Sequence, residues 1–366
     1  MAPGTLAERI PKIHLHCHLE GCLRAPTFVE LAAKHGVPLR YRRDSSVILS
    51  FDSARDRLSA QDDTRRAQDD NAGDPYAFEG LEEFLLLFAA VSRALCDPED
   101  YALLAREFVE DALAQNVIYG ELFVSPSVWT FFNPQLDVRA AVEAIATELR
   151  KARPRATFKL LADVTRNFGA ESALATTRAM AAMTDLDVIG IALGGDEARF
   201  PARLFADVFA YARAQGLHCV AHAGEADGPA SVRDALELLH AERIGHGIRA
   251  LEHPATVETL AQRRIPLEIC PTSNRLTGAE LAGHPHPHVE FDQFGCVVTI
   301  DCDDPAIFGT TLREEYAIVE RTAGPEALQR YVRNAIHASF AGEGEKRAME
   351  ARLTAAIAEL HAGPRS

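Results

Sequence analysis

A (β/α)8 barrel with extra helices after the first strand and at the C-terminus is the fold this 366-residue sequence predicts. Three observations carry that reading. Short β-rich runs recur eight times, long stretches of helical periodicity separate them, and the uncommon polar residues gather where the runs end. Alternating strands and helices imply parallel strands with helical crossovers. A closed barrel of that kind keeps its chemistry at the C-terminal strand ends.

The first run, Lys12 to His18, alternates apolar Ile13, Leu15 and Leu19 with histidines and meets a turn at Gly21. A strand's period of two sends the His16 and His18 imidazoles to one side, where both can grip one ion, although on this segment alone a solvated strand face is an equal reading. His14 shares that phase one step deeper and reads as a barrel-interior residue. After it comes a densely charged stretch, 42–75, poor in large apolar residues and read as a solvated loop within a single domain spanning 1–366. Phe84 and Phe88 then stand four apart on one helix face, the spacing of a core stripe or of a lid. The remaining runs are Val117 to Phe123, Thr157 to Val164, Val188 to Leu193, His218 to His222, Arg243 to Gly245, Pro266 to Cys270 and Cys296 to Asp301. The His284-Pro285-His286-Pro287-His288 tract after the seventh run reads as a rigid connection, because prolines alternate through it.

Composition narrows the function. With 47% hydrophobic and 25% charged residues the chain can bury a large core. Its net charge of -15 disfavours nucleic-acid backbones and anionic membranes as partners but leaves a small nucleoside or base open. No stretch approaches the roughly 20 apolar residues of a membrane span, and the first residues lack a signal-peptide core, so the expected location is the cytoplasm. The seven cysteines include no Cys-x-x-Cys pair and read as reduced, mostly buried thiols. Any metal should therefore take nitrogen and oxygen ligands.

The strand ends supply such ligands. The first ends in His16 and His18, the fifth in His222-Ala223-Gly224-Glu225, the sixth in Gly245-His246-Gly247, the seventh in Pro271-Thr272-Ser273-Asn274 and the eighth in Asp301-Cys302-Asp303-Asp304-Pro305. Three imidazoles and one carboxylate suit zinc with one position left for water. The fourth strand ends in Gly194-Gly195-Asp196-Glu197, offering glycines where a bridging ligand for a second ion would stand, so one ion per chain is expected.

Together these motifs resemble the adenosine deaminase family of metal-dependent barrel deaminases, from about Pro11 to about Phe340. The resemblance rests on His-x-His-Leu-Glu-Gly, Ser125-Pro126, Gly-Gly-Asp-Glu, His-Ala-Gly-Glu, Gly-His-Gly, Cys-Pro-Thr-Ser-Asn and Asp-Asp-Pro occurring in that order. It implies that His16, His18, His222 and Asp303 hold zinc. It further implies that Glu225 protonates the purine ring, His246 positions the attacking hydroxide, Asp304 bonds the imidazole edge and the Gly195 backbone meets the pyrimidine edge. Phe84 and Phe88 match the family's apolar lid. The chemistry fits these residue types, since replacing an aromatic amino group by oxygen needs both hydroxide at neutral pH and a proton for the ring.

Substrate choice is expected at Glu20, which stands where typical adenosine deaminases carry an aspartate that contacts the sugar. Ala192 replaces an acidic residue found in many relatives. Adenine deaminases tend to carry an acidic residue at Arg24 and serines at Gly195 and Asp196, so this sequence favours a purine nucleoside. A 5'-modified nucleoside such as aminodeoxyfutalosine, an N6-substituted purine, or adenine itself are the alternatives. Oligomeric state is not legible.

Overall fold

The computed structural model describes residues 5–39, 74–279 and 286–361. Eight parallel strands stand in sequence order: β1 (Lys12–His18), β2 (Val117–Val124), β3 (Thr157–Thr165), β4 (Val188–Gly194), β5 (His218–Ala223), β6 (Arg243–His246), β7 (Pro266–Ile269) and β8 (Val297–Ile300). Each differs from its predicted run by no more than one residue at either end. The strands are buried almost throughout because helices cover the barrel outside, which is why they read as apolar runs.

The ring closes between β8 and β1 through a short bridge. Cys17 pairs with Asp303, the His18 N–H donates to the Asp303 carbonyl over 2.8 Å, and the Asp303 N–H donates to the His16 carbonyl over 3.1 Å. Lower in the seam, the Asp301 carboxylate accepts from the Leu15 and His16 N–H groups at 2.6 and 3.1 Å, doing with a side chain what a ladder carbonyl would do. This seam also places two expected metal ligands, His16 and Asp303, beside each other.

The pairing of β1 with β2 shifts register between His14 and Cys17. That irregularity corrects the expectation for His14. Instead of lying in the barrel interior below His16, it lines a separate cavity with Phe108 and Cys302, and its Nε2 accepts the Cys302 N–H over 3.3 Å.

Between β1 and β2 lie helices Ala25–His35, Gly80–Ala94 and Pro98–Ala114. The second is an amphipathic helix whose Leu81, Phe84, Leu85, Phe88 and Ala89 recur at helical spacing and face the mouth of the barrel. The charged stretch 42–75 lies outside the described residues apart from its last two positions. Helices Leu312–Thr322, Pro325–Ala338 and Glu343–His361 complete the predicted C-terminal extension. Among the described residues no helix is long and apolar enough to cross a membrane. All seven cysteines are free thiols.

Candidate active site

At the mouth, His16, His18, His222 and Asp303 each aim one ligand atom at a common point, with those atoms within 4.8 Å of one another. His18 Nε2 and His222 Nε2 are 3.2 Å apart, and Asp303 Oδ1 lies 3.3 Å from His16 Nε2 and 3.4 Å from His18 Nε2. All four side chains are buried, and His16 Nε2 has no hydrogen-bond partner. The far sides of three of the four ligands are held, and His18 Nδ1 is buried without a partner. His16 Nδ1 is 2.8 Å from Glu268, His222 Nδ1 donates to the Leu193 carbonyl over 3.1 Å, and Ser273 Oγ donates to Asp303 Oδ2 over 2.7 Å. Partners of this kind fix tautomer and ring orientation behind metal ligands. The donor set therefore fits one metal ion.

The support reaches further into the barrel. Glu268 is paired with Arg243, whose Nη1 lies 2.6 Å from Glu121, so a buried chain of alternating charge runs beneath His16. Space is tight above it. A Cβ on Gly245 would stand 2.7 Å from His16 Cε1, so the glycine of the sixth-strand motif lets the imidazole pass. His246 and Asp303 both hold left-handed backbone, at φ 58° and 66°. Such conformations cost on the order of 1–3 kcal/mol each and persist only where surroundings enforce them.

Glu225 and His246 stand beside the metal seat. Glu225 Oε2 is 3.6 Å from His246 Nε2, which is itself 3.9 Å from Asp303 Oδ2. Burial, with Asp303 and Glu197 nearby, raises the Glu225 pKa to about 8, so it holds a proton at neutral pH. Burial lowers that of His246 to about 3 and keeps it neutral. The Asn274 amide lies 3.0 Å from His246 Nδ1. For Nε2 to accept a proton, Nδ1 must carry hydrogen and Asn274 must present its oxygen, an orientation that fills the same volume.

Glu197, which sequence reading set only as an acid just beyond the fourth strand, holds the Glu225 loop. Its carboxylate accepts from the N–H groups of Gly224, Glu225, Ala226 and Asp227 at 2.5 to 3.1 Å. With that carboxylate spent on four amides and Gly194 and Gly195 at the strand end, β4 supplies no ligand for a second ion. Arg166, fully buried, ties the same region together by donating to the carbonyls of His222 and Phe200 at 2.6 and 2.9 Å. His35, Asp97 and Asp100 form another possible group, but Lys34 already occupies it, 2.7 Å from Asp100.

The cavity above the ligands is lined by Phe84, Phe88, Gly195 and Asp304 as expected, and also by Asp163, Thr165 and Asn167. Phe84 stacks on Phe308 at 4.8 Å, and Phe88 meets His18 edge-on at 5.9 Å. Asp304 is buried with Oδ1 unpartnered, and Gly21 leaves it room. Burial drives its pKa well up.

Glu20 differs from expectation. It is fully buried behind the cavity wall, where Oε1 accepts from the Ser125 N–H and the Trp129 indole at 2.8 and 2.7 Å. It lies in the turn after β1 and is not among the residues lining the cavity, and its Oε2 is buried without a partner. Arg24 points outward to Glu110 and Asp111, and the Asp196 carboxylate pairs with Arg199. Of the positions used to favour a nucleoside, only Gly195 faces the cavity.

A parallel eight-strand barrel with a histidine and aspartate donor set at its strand ends defines a hydrolase of the amidohydrolase superfamily. The chain belongs to the adenosine deaminase family, whose model matches residues 11–356. It is 34% identical over 355 residues to an adenine deaminase of Rhodospirillum rubrum, covering 94% of this chain and 96% of that protein. It is also 34% identical to an aminodeoxyfutalosine deaminase of Streptomyces avermitilis, covering 95% and 90%. Among solved structures, adenine deaminase from Arthrobacter aurescens superposes with a TM-score of 0.81 at 26% identity, covering 96% of this chain and all of that one. An amidohydrolase with bound zinc from Burkhoderia ambifaria gives 0.76 at 25%, covering 98% and 96%.

Proposed function

We propose that this enzyme hydrolyses the exocyclic amino group of a 6-aminopurine, releasing ammonia and the 6-oxo purine, with one zinc ion held by His16, His18, His222 and Asp303. The observation that carries the reading is the placement of Glu225 and His246 on one side of the converging ligand atoms, 3.6 Å from each other. Bound zinc supplies a water whose pKa falls from about 15.7 to about 7. Everything else is work for the chain's own side chains.

Glu225, protonated at neutral pH, delivers its proton to the ring nitrogen beside the reacting carbon, so that the loss of aromaticity leaves no bare anion. His246, neutral and steered through Nδ1 by Asn274, orients the attacking water, accepts its proton at Nε2 and passes it to the departing amino group, which leaves as ammonia while the new hydroxyl on the reacting carbon returns a proton to Glu225. Asp304, kept neutral by burial, donates to the imidazole edge of the purine. The Gly195 N–H meets the pyrimidine edge, and its φ of 94° opens that approach. Phe84 and Phe88 cover the ring and exclude bulk water, which strengthens every polar contact beneath them.

Ammonia release by the zinc-loaded protein tests this on adenine, adenosine, 5'-modified adenosines and N6-substituted purines. Turnover of at least one is expected. Silence across the panel would remove the deaminase reading.

A further inference from the structure

The end of β3 carries polar groups that the reading above does not use. Asp163, Thr165 and Asn167 recur at every second position, and all three line the cavity. Asp163 is only 4% exposed, yet its Oδ1 has no hydrogen-bond partner. The neighbouring strand leaves room for it: its register partner on β4 is Ala192, and a Cβ on Gly194 would stand 2.6 Å from that oxygen. A buried acceptor left without a donor is costly, and a ligand that supplies the donor recovers that cost. Burial raises the Asp163 pKa to about 7, and the carboxyl keeps an acceptor oxygen whether ionised or neutral. Its neighbours are already engaged: Thr165 accepts from Ser127 over 3.3 Å, and Asn167 Oδ1 accepts the Asp196 N–H over 3.0 Å.

Strand order tells which part of the ring Asp163 meets, on the strength of the function proposed above. Asp304 follows β8 and takes the imidazole edge, Glu225 follows β5 and takes the nitrogen beside the reacting carbon, and Gly195 follows β4 and takes the pyrimidine edge. Passing from β5 to β4 to β3 continues this circuit, so Asp163 falls where the purine perimeter runs from N3 to N9. A free base carries a hydrogen on N9, whereas a nucleoside carries its sugar there and offers no ring donor. We propose that Asp163 is a specificity-determining residue whose Oδ1 accepts the N9–H of a free 6-aminopurine, so that the enzyme prefers the base to its nucleoside. This reverses the preference drawn from the sequence at Arg24, Gly195 and Asp196, of which only Gly195 reaches the cavity.

The test compares ligands that differ only in the N9 hydrogen. Calorimetric binding of hypoxanthine and 9-methylhypoxanthine, and kcat/KM for adenine and 9-methyladenine, are measured on zinc-loaded wild type and Asp163→Leu, which keeps the branched shape and removes the acceptor. Wild type should favour the N9–H compound by at least about tenfold, and the variant should bring the ratio within about threefold at unchanged zinc content. Asp163→Ala serves the same comparison if the leucine variant does not fold. Replacing N7 by carbon reads the Asp304 edge instead, and that penalty should persist in the variant. Equal binding of both compounds by wild type, or an unchanged ratio in the variant, overturns the assignment. Discrimination in binding without turnover of any purine counts against deamination and supports the role of Asp163.

Discussion

The floor of the cavity and its walls are built differently. On the floor, three of the four ligands are backed by a partner, Glu268 behind His16, Leu193 behind His222 and Ser273 behind Asp303, with Arg243 and Glu121 continuing the chain below, while His18 Nδ1 is buried without one. In the walls, Asp163 and Asp304 keep buried oxygens without partners, while the facing helix contributes aromatic and aliphatic side chains. On the proposed function, the reaction rests on a ligand shell held mostly from behind, and substrate choice on wall groups left unsatisfied until a ligand arrives. Partly satisfied polar groups are costly in low dielectric, which is what makes them selective.

Breaking the floor should have the largest effects. Stripping the metal with a chelator should abolish ammonia release and restoring zinc should recover it, as turnover and metal analysis on one sample would show. Glu225→Gln keeps the shape and removes the proton, so kcat should fall by about 10²–10⁴-fold with zinc content unchanged. Glu268→Gln weakens the partner of His16 and should lower zinc affinity by about 10–100-fold, measured by competition with a chelator.

Two smaller effects sharpen the contrast. Because Glu225 acts while protonated and its pKa is raised to about 8, kcat/KM should hold below that pH and fall about tenfold per unit above it. Glu225→Gln should lose this limb. Phe88→Ala opens the wall and leaves the ligands' partners in place, so KM should rise by about tenfold with zinc binding unchanged.

The two regions were also unequally legible. The strand ends could be located from the sequence because the signals are local: a period of two at His16 and His18, and apolar runs that stop at Gly, Asp or His. Support for the floor came from afar. His16 and Glu268 are 252 residues apart, and Glu197 clasps amides 27 to 30 residues ahead. A partial signal was present, since Asp163, Arg243 and Glu268 are charges inside short apolar runs, where burial requires a partner or a function. His14 was misplaced because a register shift breaks strand phase, and nothing in the sequence marks it. Glu20 stands apart for another reason: its motif position suggests a sugar contact, while Ser125 and Trp129, more than a hundred residues away, claim one of its two oxygens.

On the proposed function, metal binding and proton delivery are separate jobs held by separate residues on one floor. Zinc content and ammonia release measured together on wild type and Glu225→Gln test it most directly. One zinc per chain in both proteins, with turnover in the variant lower by at least about a hundredfold, is the predicted result. Undiminished turnover in Glu225→Gln, or two zinc ions per chain, would contradict it.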